Sequence, residues 1–365
     1  MELEFGTQGE TGTVLMRILM TGHLGYIGTV AVPVFQEHGH EIVGMDTDLF
    51  SGCTFGPSVG PAGSIPNLAL DIRDVEPDHL AGFDAVVHFA GLSNHPLGDM
   101  DPALTDAINH RATIRLAGAA KRAGVTRFVF SSSCANYGAA GDDFIDEAGA
   151  FAPMKPYGQS KVDAELGLAK LADERFSPVL MRNATAYGVS PRLRFDLVVN
   201  NLTAWAHATG EVLMKSDGTP WRPIVHIEDI ARAFLAVVEA PRDQVHMEAF
   251  NVGSTDQNYR VMDIARMVAD VVPNTRIVFA PGAGPDPLCY RVNCDKLLAR
   301  FPQARARWTP RRAAESLYAL LRTMNLEPKD FEGERFGRRP NVLAQIAAGR
   351  LSGALRPGRV SLEAA

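Results

Sequence analysis

Residues 16–46 read MRILMTGHLGYIGTVAVPVFQEHGHEIVGMD, and this stretch decides the fold. An apolar run, RILM, leads into a loop with Gly22, Gly25 and Gly28 at three-residue spacing. The loop opens a helical stretch that closes at Gly39, and a second apolar run, EIVGM, ends at Asp46. Glycine is needed in such a loop because the chain turns tightly and its amides approach a pyrophosphate at the helix N-terminus. Leu24, Tyr26 and Ile27 belong to the same loop and to the same candidate cofactor site. Asp46 follows the glycines at roughly 20 residues, where a carboxylate accepts from adenosine ribose hydroxyls and repels a 2′-phosphate. No Arg or Lys lies between Asp46 and Arg73 to bind such a phosphate, so the expected cofactor is NAD rather than NADP.

The alternation continues outward. AVVHFAG, RFVFSSS and PVLMRNA are further strand candidates, each ending in small or polar residues, as buried parallel strands do at a ligand edge. Helices are expected over 26–38, 101–123 and 157–174. After Gly188 the pattern turns irregular, and IVHIEDIARAFLAVVEA and AFNVGS then return to the first style. The expected architecture is α/β: a Rossmann-type doubly wound parallel sheet with a smaller, discontinuous C-terminal substrate lobe. The boundaries place the dinucleotide domain at 16–188 plus 224–255 and the second lobe at 189–223 plus 256–330. Residues 1–15 read as a disordered leader. Residues 331–365 form a tail with six Arg against three Glu, expected as a surface helix or subunit contact rather than a basic binding arm.

Composition narrows the function classes. The chain has 365 residues, 46% of them hydrophobic and 21% charged, which suits a globular protein. A net charge of −6 gives no electrostatic case for nucleic acid or an anionic membrane. Cys53, Cys134, Cys289 and Cys294 include no C-x-x-C pair, so neither a metal site nor a disulfide framework is indicated, which fits a reducing, cytoplasmic setting. No apolar run approaches the roughly 18–20 residues that a membrane-spanning helix needs.

Other positions extend the candidate cofactor site. Asp71 and Ile72 in LDIRD lie where a carboxylate and an apolar side chain would bracket adenine, although a helix cap beside a core residue reads equally well. Ala90 and Gly91 are small enough to admit a dinucleotide. Ser93, Asn94 and His95 either line a substrate pocket or form a solvated loop.

Tyr157 and Lys161 in PYGQSK are four apart, so on a helix they share one face. The strand ending in Ser131, Ser132 and Ser133 precedes them. Oxidising a secondary alcohol requires removal of the hydroxyl proton while hydride leaves carbon. Tyrosine, with a reference pKa near 10, is too weak a base at neutral pH unless nearby positive charge favours phenolate. The roles that follow are Tyr157 as acid and base, Lys161 as its electrostatic tuner and ribose anchor, and Ser133 as the partner of the substrate oxygen.

Together TGHLGYIG, Asp46, FVFSSSCANYG and YGQSK resemble the extended short-chain dehydrogenase/reductases, within the NAD-dependent epimerase/dehydratase family of UDP-galactose 4-epimerase-like enzymes. The resemblance runs from about Met16 to about Leu321. It implies an NAD-dependent enzyme, a second lobe that clasps a nucleotide-sugar, and a homodimer built through a four-helix contact. It selects Ser133, four residues before Tyr137, as the catalytic serine. It nominates Asn201 in VVNNLTAW and Arg222 in WRPIVHIEDI as contacts to the substrate diphosphate, with Arg291 as a second arginine. Planar guanidinium donors suit phosphate because they bind it in pairs. His226 and Asp229 read as structural.

Departures from the family pattern sort the subclasses. Sugar 4,6-dehydratases follow their catalytic Thr with Asp-Glu, and UDP-glucuronate decarboxylases carry a Glu two residues before the Tyr of the YG pair. Here Cys134-Ala135 follow Ser133, which disfavours both. Cys134 lies one residue short of the acid/base cysteine of 3,5-epimerases and reads as packing. Thr185 stands where many members have Asn. The leading expectation is an epimerase acting at C4 of a nucleotide-sugar. The alternatives are a ketosugar reductase or dehydrogenase and, more distantly, a non-catalytic NAD(H)-responsive regulator.

Overall fold

A computed structural model describes residues 14–93, 95–139 and 142–358. The expected leader therefore lies outside the described residues, except for the exposed Val14 and Leu15. Its frame is a seven-stranded parallel sheet of β1 (Arg17–Thr21), β2 (Glu41–Met45), β3 (Asn67–Leu68), β4 (Ala85–His88), β5 (Arg127–Ser133), β6 (Ser177–Asn183) and β7 (Ala249–Val252). Their spatial order is β7-β6-β5-β4-β1-β2-β3. The register is continuous at the centre: Leu19 pairs with Val43 on one side and Val86 on the other. Apart from the short edge strand β3, these strands are largely buried on both faces, which is why they read as apolar runs rather than as alternating ones.

Strand order reverses at β1, so a crevice opens between the carboxyl ends of β1 and β4, the usual ligand position in such sheets. Every candidate cofactor or catalytic position therefore falls on one edge. Helix α1 (Gly28–Glu37) follows the glycine loop, α2 (Ala112–Arg122) covers β4 and β5, and α3 (Pro156–Ala169) carries Tyr157 and Lys161. Gly39 and Gly124 end the first two helices with φ of 85° and 88°, the left-handed conformation that a helix C-terminus assigns to glycine. The expected helix over 101–123 is broken by a π turn at Ala107–Arg111.

A second hydrophobic core forms beyond the crevice. Helices α4 (Val198–Thr209), α5 (Ile227–Glu239), α6 (Val261–Val271) and α7 (Pro310–Leu321) follow in the chain. Val199, Leu202, Ile264, Val268, Ala313 and Leu317, from α4, α6 and α7, pack together in this core. The parallel pair Glu211–Ser216 and Arg276–Gly284 borders it. Helix α5 instead packs its apolar stripe of Ile230, Phe234 and Val237 against α1 and the sheet.

The tail does not stand apart as a simple surface helix. Glu332 accepts from Asn201, Trp205 and Lys215 of the second lobe. Phe336 packs among Phe55 and Phe195. Helix α8 (Arg338–Ala347) then crosses to the sheet side, where Val342 and Leu355 join Leu92 and Leu97 in one cluster. The tail thus spans both sides of the crevice.

Candidate active site

The crevice encloses about 1080 Å³ and is lined from both lobes. At its floor Gly22 has φ of 73°, and a side chain there would come within 2.6 Å of the Ala90 nitrogen. A Cβ on Gly28 would lie 2.3 Å from the Gly22 oxygen. The loop is thus closed to any side chain at these two positions, which fits the close backbone approach that a dinucleotide pyrophosphate requires. Gly25, Tyr26, Ile27, Asp46, Asp71, Ile72, Ala90 and Gly91 also line the crevice; Leu24 does not, but its amide donates to Asp46 Oδ2 at 3.1 Å.

Asp46 is held in place by that amide and by the Asp48 amide, which reaches its other oxygen at 2.8 Å. Burial raises its carboxyl above the ordinary value, and these two amides pull it back. Asp71 is less free than the sequence suggested. It caps the following turn through the Arg73 amide and takes the Arg73 guanidinium on both oxygens, at 2.9 and 2.6 Å. Burial would raise its pKa, but Arg73 and Arg356 outweigh that and leave it lowered.

The catalytic candidates meet on one wall. Ser133 ends β5, and the side chain of Tyr157 hydrogen-bonds it. Lys161 Nζ donates to the Ser131 carbonyl at 2.7 Å, stands over the Phe130 ring at 4.6 Å and lies 5.8 Å from the Tyr157 ring centre. Burial lowers the Lys161 pKa to about 8, against the opposing pull of Glu165. The expected depression of the tyrosine pKa is not present in the protein alone. Burial raises the Tyr157 pKa, and Ser133 and Arg194 only partly offset it, so the resting group is a neutral phenol. Asn183, at the end of β6, donates to Ser131 Oγ, while its own Oδ1 is buried without a hydrogen-bond partner and its side chain lines the crevice. An unmatched acceptor beside the lysine and serine is the kind of group a bound carboxamide would satisfy, so these residues fit NAD.

Behind this wall a buried polar network holds β5 and β6 in register. Arg182 and Glu165 pair at 2.7 Å, with Ser132 and Asn136 also donating to Glu165. Cys134 is fully buried, with its Sγ against the Arg182 carbonyl at 3.1 Å, and burial drives its thiol pKa up, so it is packing rather than an acid/base.

The expected substrate contacts divide. Ser93, Asn201 and Arg222 line the crevice. Ser93 accepts from Arg194 at 3.2 Å, and Asn201 donates to the Phe195 carbonyl at 2.7 Å and to Glu332. Arg222 is held by Asp286 and the Leu288 carbonyl. Arg291 lies outside the crevice lining, sandwiched between the Phe144 and Trp221 rings at 3.8 and 4.6 Å and donating to the Asp142 carbonyl. These contacts engage the half-buried guanidinium away from the crevice lining. Asn94 lies outside the described residues. His226 stacks on Trp308 at 4.0 Å and caps α5, and Asp229 takes the Arg307 and Trp308 amides, so both are structural.

Three residues escaped the sequence reading. Asn109, on the π turn, receives the Leu92 amide at 2.7 Å and donates to Leu92 O and Ser160 Oγ, tying the loop after β4 to the helix of Lys161. Arg194 pairs with Asp196 at 2.7 Å and lies in the crevice close enough to act on Tyr157. Arg338 enters the lining from the tail. Only a spatial neighbour identifies each of them, because none belongs to a local pattern. Asp106, His110 and Asp163 form one group that could hold a metal ion, but His110 and Arg111 already occupy Asp106. No described helix is long and apolar enough to cross a membrane.

Comparisons with known proteins agree with this fold. Residues 18–253 match the model of the NAD-dependent epimerase/dehydratase family. The chain is 29% identical to the UDP-glucose 4-epimerase of Corynebacterium glutamicum over 320 residues, covering 81% of this chain and 91% of that one. A solved UDP-glucose 4-epimerase from Stenotrophomonas maltophila, with bound NAD and formylated UDP-arabinopyranose, is 26% identical with a TM-score of 0.74, covering 85% of this chain and 98% of that one. MoeE5 in complex with UDP-glucose and NAD is 26% identical with a TM-score of 0.70, covering 84% and 99%.

Proposed function

Because the chain belongs to the NAD-dependent epimerase/dehydratase family, we propose that it is a nucleotide-sugar epimerase inverting C4 through a transient 4-keto sugar. When bound, NAD supplies reversible hydride acceptance, which permits inversion without net redox change. In this reading the glycine loop and Asp46 hold the dinucleotide, and Asn201 and Arg222 hold the substrate diphosphate. Ser133 orients the C4 oxygen, and Tyr157 takes up and returns its proton. Tyr157 rests as a neutral phenol, so it needs positive charge to act as a base. In this reading Arg194, which already favours the phenolate, and Lys161, 5.8 Å from the ring centre, supply it.

The observation that carries this reading is the gathering of Ser133, Tyr157 and Lys161 on one crevice wall, with an inert buried thiol in the place of an eliminating carboxyl pair. Relatives named as UDP-glucose 4-epimerases support it. The same reading assigns 16–188 plus 224–255 to NAD and 189–223 plus 256–330 to the nucleotide-sugar, in a cytoplasmic homodimer. The test is incubation of purified NAD-bearing protein with UDP-glucose, UDP-glucuronate, dTDP-glucose and GDP-mannose, followed by proton NMR of the sugar and NADH absorbance. A C4 epimer without NADH change is expected. Stoichiometric NADH change would identify a reductase or dehydrogenase, loss of water a dehydratase, and no conversion of any substrate would overturn the proposal.

A further inference from the structure

Arg338 opens the ten-residue helix α8 and is only 6% exposed. Its Nη2 donates to the Arg192 carbonyl at 2.8 Å and its guanidinium lies over the Phe50 ring at 4.3 Å. Its Nη1 is buried with no hydrogen-bond partner. The neighbouring arginines each have a carboxylate: Arg192 pairs with Asp48, although its Nε and Nη1 are also buried without partners, and Arg194 pairs with Asp196. Arg338 has no carboxylate in ion-pair range among the described residues, and the Cys53 thiol is its one other side-chain hydrogen-bonding neighbour there. Burial lowers its pKa to about 10; Cys53 and Asp196 oppose that shift, and Arg194 and Arg192 add to it. A buried cation with an open donor is costly unless an anion completes it. The helix N-terminus on which it sits adds a positive field of its own.

We infer that Arg338 is a diphosphate ligand, contacting the pyrophosphate of the bound dinucleotide from the tail side of the crevice, so that residues 338–356 strap the cofactor in place. Planar paired donors suit phosphate oxygens. The dinucleotide, rather than the nucleotide-sugar, is the source because of where the strap goes next. Arg338 rests on Phe50, four residues beyond Asp46. Gln345 then donates to the Leu49 carbonyl, Arg73 donates to the Ala354 carbonyl, and Arg356 pairs with Asp74. All of these lie at the Asp46–Asp71 end of the crevice. The inference rests on the dinucleotide occupying the crevice and not on C4 epimerisation.

The test titrates the full-length protein, freed of NAD, and its R338A and R338K forms with ADP-ribose, adenosine and UDP by calorimetry. Expected is an about tenfold or greater loss of ADP-ribose affinity in R338A, partial recovery in R338K, and unchanged binding of adenosine and UDP. Unchanged ADP-ribose binding overturns the inference. So does an equal loss for adenosine and ADP-ribose, which would mean a packing effect, or a loss confined to UDP, which would assign Arg338 to the substrate diphosphate. If R338A does not fold, R338M keeps the stem over Phe50 and is judged by the same three ligands. None of these readouts depends on turnover, so failure of the epimerase reading leaves this test intact.

Discussion

Lys161 is anchored through its Nζ to the backbone carbonyl of Ser131, two residues before Ser133, rather than to a carboxylate. The hydrogen bond fixes its position, but nothing in contact neutralises its charge, and burial lowers its pKa from 10.5 to about 8. Below pH 8 the group is protonated in folded and unfolded chains alike, and the burial cost is fully present. Between about pH 8 and 10.5 the unfolded chain binds the extra proton, so the native state gains stability as pH rises. In NAD-free protein, the Tm of wild type relative to Lys161→Met should therefore rise across that window, by the equivalent of about 1–3 kcal/mol. A constant difference would show that the ammonium is not desolvated.

Tyr157→Phe removes the hydroxyl proposed to carry the proton and keeps the ring against its neighbours. Turnover should fall by about 10²–10⁴-fold, while the Kd for NAD stays within about threefold. Turnover assays on the variant, together with a cofactor titration, check both halves. A variant that keeps full turnover would remove Tyr157 from the chemistry.

How much of this was legible in the sequence follows from what each element buries. The strands around β1 are sealed on both faces, so RILM, EIVGM and RFVF show as apolar runs, and the residues at their carboxyl ends follow from the fold. Strand β3 is only two residues long and leaves no periodicity to read. The π turn that carries Asn109 is an irregularity inside a helical pattern, set by its bonds to Leu92 and Ser160 rather than by local propensity. The tail's role depends on contacts such as Arg356 with Asp74, across 282 positions of chain, and composition alone cannot report these. Tyr157 shows the same limit: a lysine four residues away says nothing of burial, a tertiary property, which raises the phenol's pKa in the protein alone.

Asp46→Ala deletes the acceptor that Leu24 and Asp48 hold in place at the end of β2. Loss of hydrogen bonds to a charged group costs about 1.5–3 kcal/mol, so NAD affinity should drop by about tenfold or more. The preference over NADP should narrow because the repelling charge is gone. Parallel titrations with NAD and NADP measure both effects, and an unchanged ratio of the two would remove Asp46 from cofactor selection.

Glu165 and Arg182 form a nearly sealed ion pair, at 2% and 6% side-chain exposure. Removing one partner strands the other in a medium that solvates it poorly. Glu165→Ala alone should lower stability by about 3–5 kcal/mol. The double variant Glu165→Ala with Arg182→Met should be less damaged than the two single losses added together. Denaturant unfolding of the four proteins gives the coupling, and additive losses would show that the pair does not act as a unit.

His23 lies in the glycine loop, fully buried, with neither ring nitrogen in a well-formed hydrogen bond and only the Met45 backbone near enough to favour its proton. A Cβ on Gly44 would fall 2.3 Å from its Cε1 and 2.4 Å from each nitrogen, so Gly44 in β2 leaves room only for that ring. Gly44→Ala must therefore displace the imidazole, at a cost of about 1–3 kcal/mol for overpacking. Adding His23→Ala vacates the same space, so the double variant should be more stable than Gly44→Ala alone. Burial also holds the His23 pKa down at about 4, against 6.5 in an open chain. Its contribution is complete above pH 6.5 and is lost as pH falls towards 4, because only the unfolded chain takes up the proton in that window. Thermal unfolding at pH 5 and pH 7.5 should accordingly show a smaller acid penalty in His23→Ala than in wild type, and an equal penalty would mean that the ring is hydrated after all.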